Sequence, residues 1–305
     1  MYLKKAYLYI ITGAALWGTI SWYVKNLYSF GFTPMEVVIL RAWSTALLLF
    51  LYLLFFFRNK LKLKSLKDIR YFLGTGILSI TFFNFCLFTA IELSTIPVAT
   101  ALLYTAPAFV MILSFLFFKE PITKGKLMAL LTTLIGTCLV VEVIPFNLNA
   151  VSLSAIIFGI GAGFGYSLYS IFSKFALRKY SSLSITTYTF IIAAIALSPL
   201  FPYKEKWELL MYPEVIFYTL GLGFLPTAFA YIIYTHGLNH TEASKASILS
   251  TVEPVVATLI GILIFQETFS IIQSIGMACI LGAVLFIQLN NQPKAVNLLR
   301  KTGTS

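Results

Sequence analysis

Ten long apolar runs, joined by connectors too short to furnish a charged surface, constrain this chain more than any other feature. They cover residues 6–26, 35–57, 71–91, 97–118, 127–144, 152–175, 184–201, 214–236, 247–266 and 271–289. A bilayer core is crossed by about 20 residues of helix, and only a helix or a closed barrel satisfies its own backbone there. The runs are too long for barrel strands and lack their alternation, so the sequence predicts an all-α integral membrane protein with ten transmembrane helices. With 59% hydrophobic and 11% charged residues, a soluble globular domain is excluded.

The Lys and Arg residues outnumber the Asp and Glu residues by 22 to 11, yet they do not gather into the patch or stripe that a nucleic-acid partner would require. They punctuate the apolar runs instead, and cytoplasmic loops are the ones enriched in basic residues. With the N-terminus inside, eighteen of the 22 fall on the inner side: Lys4, Lys5, those from Arg58 to Arg70, Lys119 to Lys126, Lys174 to Lys179, Lys245, and Lys294, Arg300 and Lys301. Only Lys25, Lys204 and Lys206 fall outside, and Arg41 lies within a span. The expectation is a multi-pass plasma-membrane protein embedded in the lipid bilayer, with both termini cytoplasmic and no nucleic-acid partner. Nothing in the sequence assigns an oligomeric state.

The stretch Leu238 to Phe269 repeats Ile91 to Ile122 after a shift of 147 residues. That shift lays Pro107 on Pro254, Glu120 on Glu267, Ala99 on Ala246, and Gly74 and Gly76 on Gly221 and Gly223. Trp17, Gly18 and Lys25 of the first span align with Tyr166, Ser167 and Lys174 of the sixth, and Gly136 aligns with Gly282. Five spans per copy is an odd number, so the second copy must enter the membrane the other way up, giving two inverted five-helix repeats. They occupy residues 6–144 and 152–289, followed by a polar cytoplasmic tail, 290–305.

Ten spans, the five-plus-five duplication, Trp17-Gly18 in the first span, Glu253-Pro254 in the ninth, and Glu120 and Glu267 closing the fourth and ninth resemble the drug/metabolite transporter (DMT) superfamily, EamA type. The resemblance implies a ten-helix bundle around a central cavity that moves small organic solutes such as amino acids, amines or drugs by alternating access, with export favoured over import. Glu142, near the outer end of the fifth span, departs from the family pattern.

Ionisable groups at membrane depth are costly, so they face a cavity or a partner. Arg41 and Glu253 are the two that stand out. Glu253 reads either as a carboxylate that binds a cationic substrate group or carries a coupling proton, or as a group hydrogen-bonded beside Pro254. Arg41 reads as a carboxylate-binding or gating cation, or as a side chain reaching to the outer surface. Trp17, Tyr104, Tyr166, Tyr169 and Tyr231 sit mid-span, away from the interfacial belt, and are candidates for the walls of a substrate cavity; Trp22, Trp43 and Asn84 rank behind them. Pro107, Pro226 and Pro254 each remove a backbone donor and predict kinked helices. Gly159 with Gly163, and Gly161 with Gly165, predict close helix packing in the sixth span. Glu120 and Glu267 read as structural helix ends at the water boundary.

Catalysis is disfavoured: His236 and His240 lie near the inner surface, Asp68 is in a basic loop, and no HExxH, GxSxG or GxxxxGK[ST] occurs. Cys86, Cys138 and Cys279 lie in apolar runs with no metal-ligand spacing, and no cofactor is expected. The functional expectation is a secondary transporter for a small-molecule substrate, coupled to protons if Glu253 carries one. The alternatives are a channel or a membrane interaction protein without transport, with an intramembrane enzyme last.

Overall fold

A computed structural model describes residues 2–143 and 151–289. The tail 290–305, with Lys294, Arg300 and Lys301, lies outside the described residues, as does most of the connector between the halves. The first half contains α1 (Tyr2–Gly18), α2 (Ile20–Ser29), α3 (Pro34–Phe56), α4 (Ile69–Leu73), α5 (Phe82–Leu93), α6 (Ile96–Leu103), α7 (Ala106–Phe118) and α8 (Lys124–Val140). The second contains α9 (Leu153–Ala176), α10 (Ser182–Leu197), α11 (Tyr203–Lys206), α12 (Pro213–Gly223), α13 (Ala230–Leu238), α14 (Ala243–Leu249), α15 (Val252–Phe265) and α16 (Ile271–Leu289). Among the described residues there is no strand.

Eight helical segments are long and apolar enough to cross a membrane by length and composition. The two other runs are helical but shorter: the first is broken at Thr19 between α1 and α2, and α8 has 17 residues.

The duplication is visible in the backbone. A π-helical segment, Gly74–Thr81, joins α4 to α5, and a second, Phe224–Phe229, joins α12 to α13. Pro226 lies in the second and no proline lies in the first, so the widened turn belongs to the shared architecture and not to Pro226 alone. In each segment a threonine hydroxyl bonds a carbonyl five residues back, Thr81 to Gly76 at 3.0 Å and Thr227 to Leu222 at 2.7 Å. α7 and α15 both end on a left-handed residue, Lys119 (φ 58°) and Gln266 (φ 53°), 147 positions apart.

The fourth and ninth spans are each two helices. Breaks at Tyr104–Thr105 and Ser250–Thr251 precede Pro107 and Pro254, which therefore sit in the first turn of α7 and α15. An N–H in that position has no helical partner to lose, so these prolines start helices where the sequence predicted kinks within them.

The halves interlock. α1 packs on α13 and α15, while α9 packs on α5, α6 and α7; α3 lies on α10, and α8 on α16. The glycines of α9 divide as their spacing implies. A Cβ on Gly159 or Gly163 would fall 2.4 Å from Leu102 or 2.5 Å from the Thr105 hydroxyl, whereas Gly161 and Gly165 face Cys86, Phe82 and Phe83 of α5. Between α8 and α16 the close approach is Gly136 against Gly276, and Gly282, the alignment partner of Gly136, has nothing within 4 Å.

Candidate functional site

The two broken spans and the first, second, third, sixth and eighth spans surround a cavity of about 310 Å³. It runs from Trp17, Tyr166 and Glu253 at mid-depth to Tyr28 and Pro34 at one face. The other face carries the segments around Arg58–Arg70, Lys119–Lys126, Lys174–Lys179 and Lys245, and is called the basic face below.

Six of the seven expected site residues line this cavity: Trp17, Arg41, Tyr104, Tyr166, Tyr231 and Glu253. Glu253 stands in the first turn of α15, which the break at Thr251 exposes at membrane depth, and a helix N-terminus favours a carboxylate there. The Tyr166 hydroxyl donates to its Oε2 at 3.2 Å. Arg41, from the second turn of α3, is 8% exposed, and among the described residues its Nε and Nη2 have no hydrogen-bond partner. Arg41 and Glu253 form no ion pair within 4 Å among the described residues, so each faces the cavity as a separate group. Arg41 is thus almost fully buried and lines the cavity.

Aromatic rings form the floor. Trp17 meets Tyr231 at 4.9 Å and Tyr234 at 4.8 Å between ring centroids, and meets Tyr166 edge-on at 6.3 Å. Tyr169 is the exception among the expected residues. It lies beneath the floor, buried, with its hydroxyl 2.7 Å from that of Thr235 and its ring edge-on to Tyr231. The next residue of α9, Ser170, has its hydroxyl 2.8 Å from that of Tyr234.

Of the second-rank residues, Asn84 lines the cavity. Trp22 packs edge-on to Tyr23 and Tyr218, and Trp43 donates to the Ser198 hydroxyl at 2.8 Å, so both are held in packing. Sequence reasoning did not select Ser21, Tyr28 or Phe83, which also line the cavity. Ser21 had a usable signal, since it lies four residues after Trp17 and hence on the same helical face.

Glu120 is not solvated at the water boundary, as its place beside Lys119 had implied. It is 8% exposed and accepts from the backbone N–H groups of Ala243 (2.7 Å) and Ser244 (3.0 Å) and from the Ser244 hydroxyl (2.7 Å). Lys174 stands 3.6 Å from it and donates to the Thr241 carbonyl. The repeat-related pair, Lys25 and Glu267, is also joined, but at an exposed position, with Lys25 over the Phe265 ring.

The EamA-like transporter family profile matches residues 4–142 and again residues 153–289. An uncharacterized transporter of Archaeoglobus fulgidus is 33% identical over 286 residues, covering 90% of this chain and 93% of the relative. The uncharacterized transporter YdfC of Bacillus subtilis is 28% identical over 263 residues, covering 85% and 83%. A solved crystal structure superposes with a TM-score of 0.76 at 19% identity over 94% of this chain and 97% of the other, which shows the same fold. With both halves matched, the chain belongs to the EamA-like transporter family and is a membrane transporter, not an enzyme.

Proposed function

We propose that this protein is a secondary transporter that moves a small amphipathic solute bearing an anionic group, by alternating access, through the cavity between its two halves. The observation that carries this reading is the pairing of Arg41, with two buried donors unspent, and Glu253, held by Tyr166, in one aromatic-walled cavity. A guanidinium with free donors matches a carboxylate or similar planar anion. The rings accept an apolar body, and Glu253 takes either a substrate amine or a coupling proton. At about 310 Å³ the cavity is at the small end of ligand sites, which favours a metabolite over a large drug. A carrier is favoured over a channel because the cavity ends on the floor of Trp17, Tyr166, Tyr231 and Tyr234, beneath which Tyr169 and Ser170 are buried. The family resemblance points to export, across a plasma membrane with both termini cytoplasmic.

The test is a thermal-stabilisation screen of purified protein against amino acids, amines, nucleosides and cationic drugs, followed by counterflow of labelled hits in proteoliposomes. Hits should combine an anionic group with an apolar body, and Arg41→Ala should slow their exchange by at least about tenfold, the worth of one charge-assisted anchor. Exchange of the same solutes at the native rate in Arg41→Ala would sink the proposal, and flux without counterflow would identify a pore. If Glu253 is the coupling group, uptake responds to a pH gradient in the native protein and not in Glu253→Gln.

A further inference from the structure

The chain is a duplication, but the molecule is not symmetric. A shift of 149 residues carries Ile20, Ser21 and Val24 onto Tyr169, Ser170 and Ser173, and the shift of 147 carries Leu87 and Phe88 onto Tyr234 and Thr235. The first five line the cavity and are half-buried. Their five counterparts are all buried. One surface therefore occurs twice, open toward one face and shut toward the other. On the shut side hydroxyls meet across the seam, Tyr169 with Thr235 and Ser170 with Tyr234. Groups of this kind are costly to bury in apolar packing, and they can exchange their partners for water when the seam parts.

At the basic-face end of this seam stands the buried Glu120, with three hydrogen bonds to Ala243 and Ser244 and with Lys174 beside it. We infer that Glu120 and Lys174 are the latch that holds the basic-face half of the transport path shut, that this path runs along Tyr169, Ser170 and Ser173 against Tyr234 and Thr235, and that Glu267 with Lys25 is the counterpart latch on the opposite face. This rests on the alternating-access reading above. The Lys–Glu pair is made at both ends, so the difference lies in what each carboxylate binds beyond its lysine. The counterparts of Ala243 and Ser244 are Ile96 and Pro97. Ser244 gives Glu120 an N–H and a hydroxyl, whereas Pro97 has neither, so closure on Glu267 lacks two of the three bonds. The protein accordingly rests with the basic face closed and the cavity open to the other face.

The test uses the full chain in proteoliposomes and in vesicles of both orientations, with Cys86, Cys138 and Cys279 replaced by alanine and a membrane-impermeant methanethiosulfonate as the probe. Glu120→Gln should raise labelling of Ser170→Cys from the basic face about tenfold, the population change expected when charge-assisted bonds become neutral ones, and should lower labelling of Ser21→Cys from the opposite face. Pro97→Ser supplies the missing donors to Glu267 and should shift both rates the same way while leaving Glu120 intact. Unchanged rates in Glu120→Gln would overturn the latch, as would a rise at Ser170→Cys with no fall at Ser21→Cys, which marks loosening and not exchange of states. Unchanged rates in Pro97→Ser would overturn the role given to Glu267. If Glu120→Gln does not fold, Lys174→Met tests the same latch with the same two outcomes. Native counterflow alongside unresponsive latch variants removes the latch and leaves the carrier, whereas absence of counterflow in the native protein removes the carrier reading itself.

Discussion

Replacing Arg41 with methionine separates a substrate-binding cation from a structural one, because the two roles predict shifts of opposite sign in stability. Nε and Nη2 of Arg41 are buried without partners among the described residues, and each such donor costs about 1–3 kcal/mol. Two of them cost about 2–6 kcal/mol in the substrate-free protein, part of it returned when the flexible methionine fills the space less well than the arginine stem did. A net gain of about 3 kcal/mol, at about 2 °C per kcal/mol for a chain of this size, raises the unfolding midpoint by about 6 °C. Transport should fall by at least about tenfold at the same time, since the charge-assisted anchor is gone. A thiol-reactive dye reports the midpoint directly, because Cys86 is buried and Cys138 and Cys279 are partly so. A lower midpoint in Arg41→Met would refute the reasoning, showing that the guanidinium braces the bundle. A raised midpoint with undiminished transport would refute the binding role alone.

Other perturbations report on the scaffold. A side chain on Gly163 would meet the Leu102 and Leu103 carbonyls at 3.0 Å, so Gly163→Val should push α6 from α9 and cost about 1–3 kcal/mol in thermal unfolding. Asp68 accepts from the Lys179 ammonium at 2.8 Å and the Tyr180 hydroxyl at 2.9 Å, tying the basic loop to the end of α9; Asp68→Asn should cost about 1–3 kcal/mol and increase protease nicking between residues 58 and 68. Burial alone would raise the Glu242 carboxyl, but Lys126 and Lys245 beside it hold it below the ordinary carboxylate value. A lowered folded value means the stabilisation is complete above the unfolded carboxylate value and is lost as pH falls through the folded one. Glu242→Gln should therefore be less stable than the native protein at pH 7, and the difference should vanish in acid.

The spans were legible because the bilayer imposes a length and an apolar composition on any helix that crosses it, and these survive without tertiary information. The pairing of Lys25 with Lys174 and of Glu120 with Glu267 was legible too, from the fixed shift between copies. What each of those residues touches was not. Glu120 binds residues 123 and 124 positions away, and the adjacent Lys119 suggested a solvated helix end instead. Arg41 and Glu253 could be found from the cost of burying charge, which is a property of the residue type. Tyr169 could not be separated from Tyr166 in the same way: the two differ by less than one helical turn, and only the position of the aromatic floor places one in the cavity and the other beneath it. The prolines misled for a related reason. Loss of a donor is visible in sequence, but whether that donor had a partner depends on where the helix begins.

The contact between Gly136 and Gly276 has a mechanical consequence. Each glycine's carbonyl oxygen lies within 2.8 Å of where the other's Cβ would be, so at this point α8 and α16 touch backbone to backbone, with Leu139, Cys279 and Ile280 packed around the contact. A layer of side chains can reshuffle rotamers and let helices slide, whereas two bare backbones in register offer only rotation about the point of contact. The last helix of each half is thereby held closest to the other at this point, as two blades are at a rivet, which under the alternating-access proposal makes it the pivot.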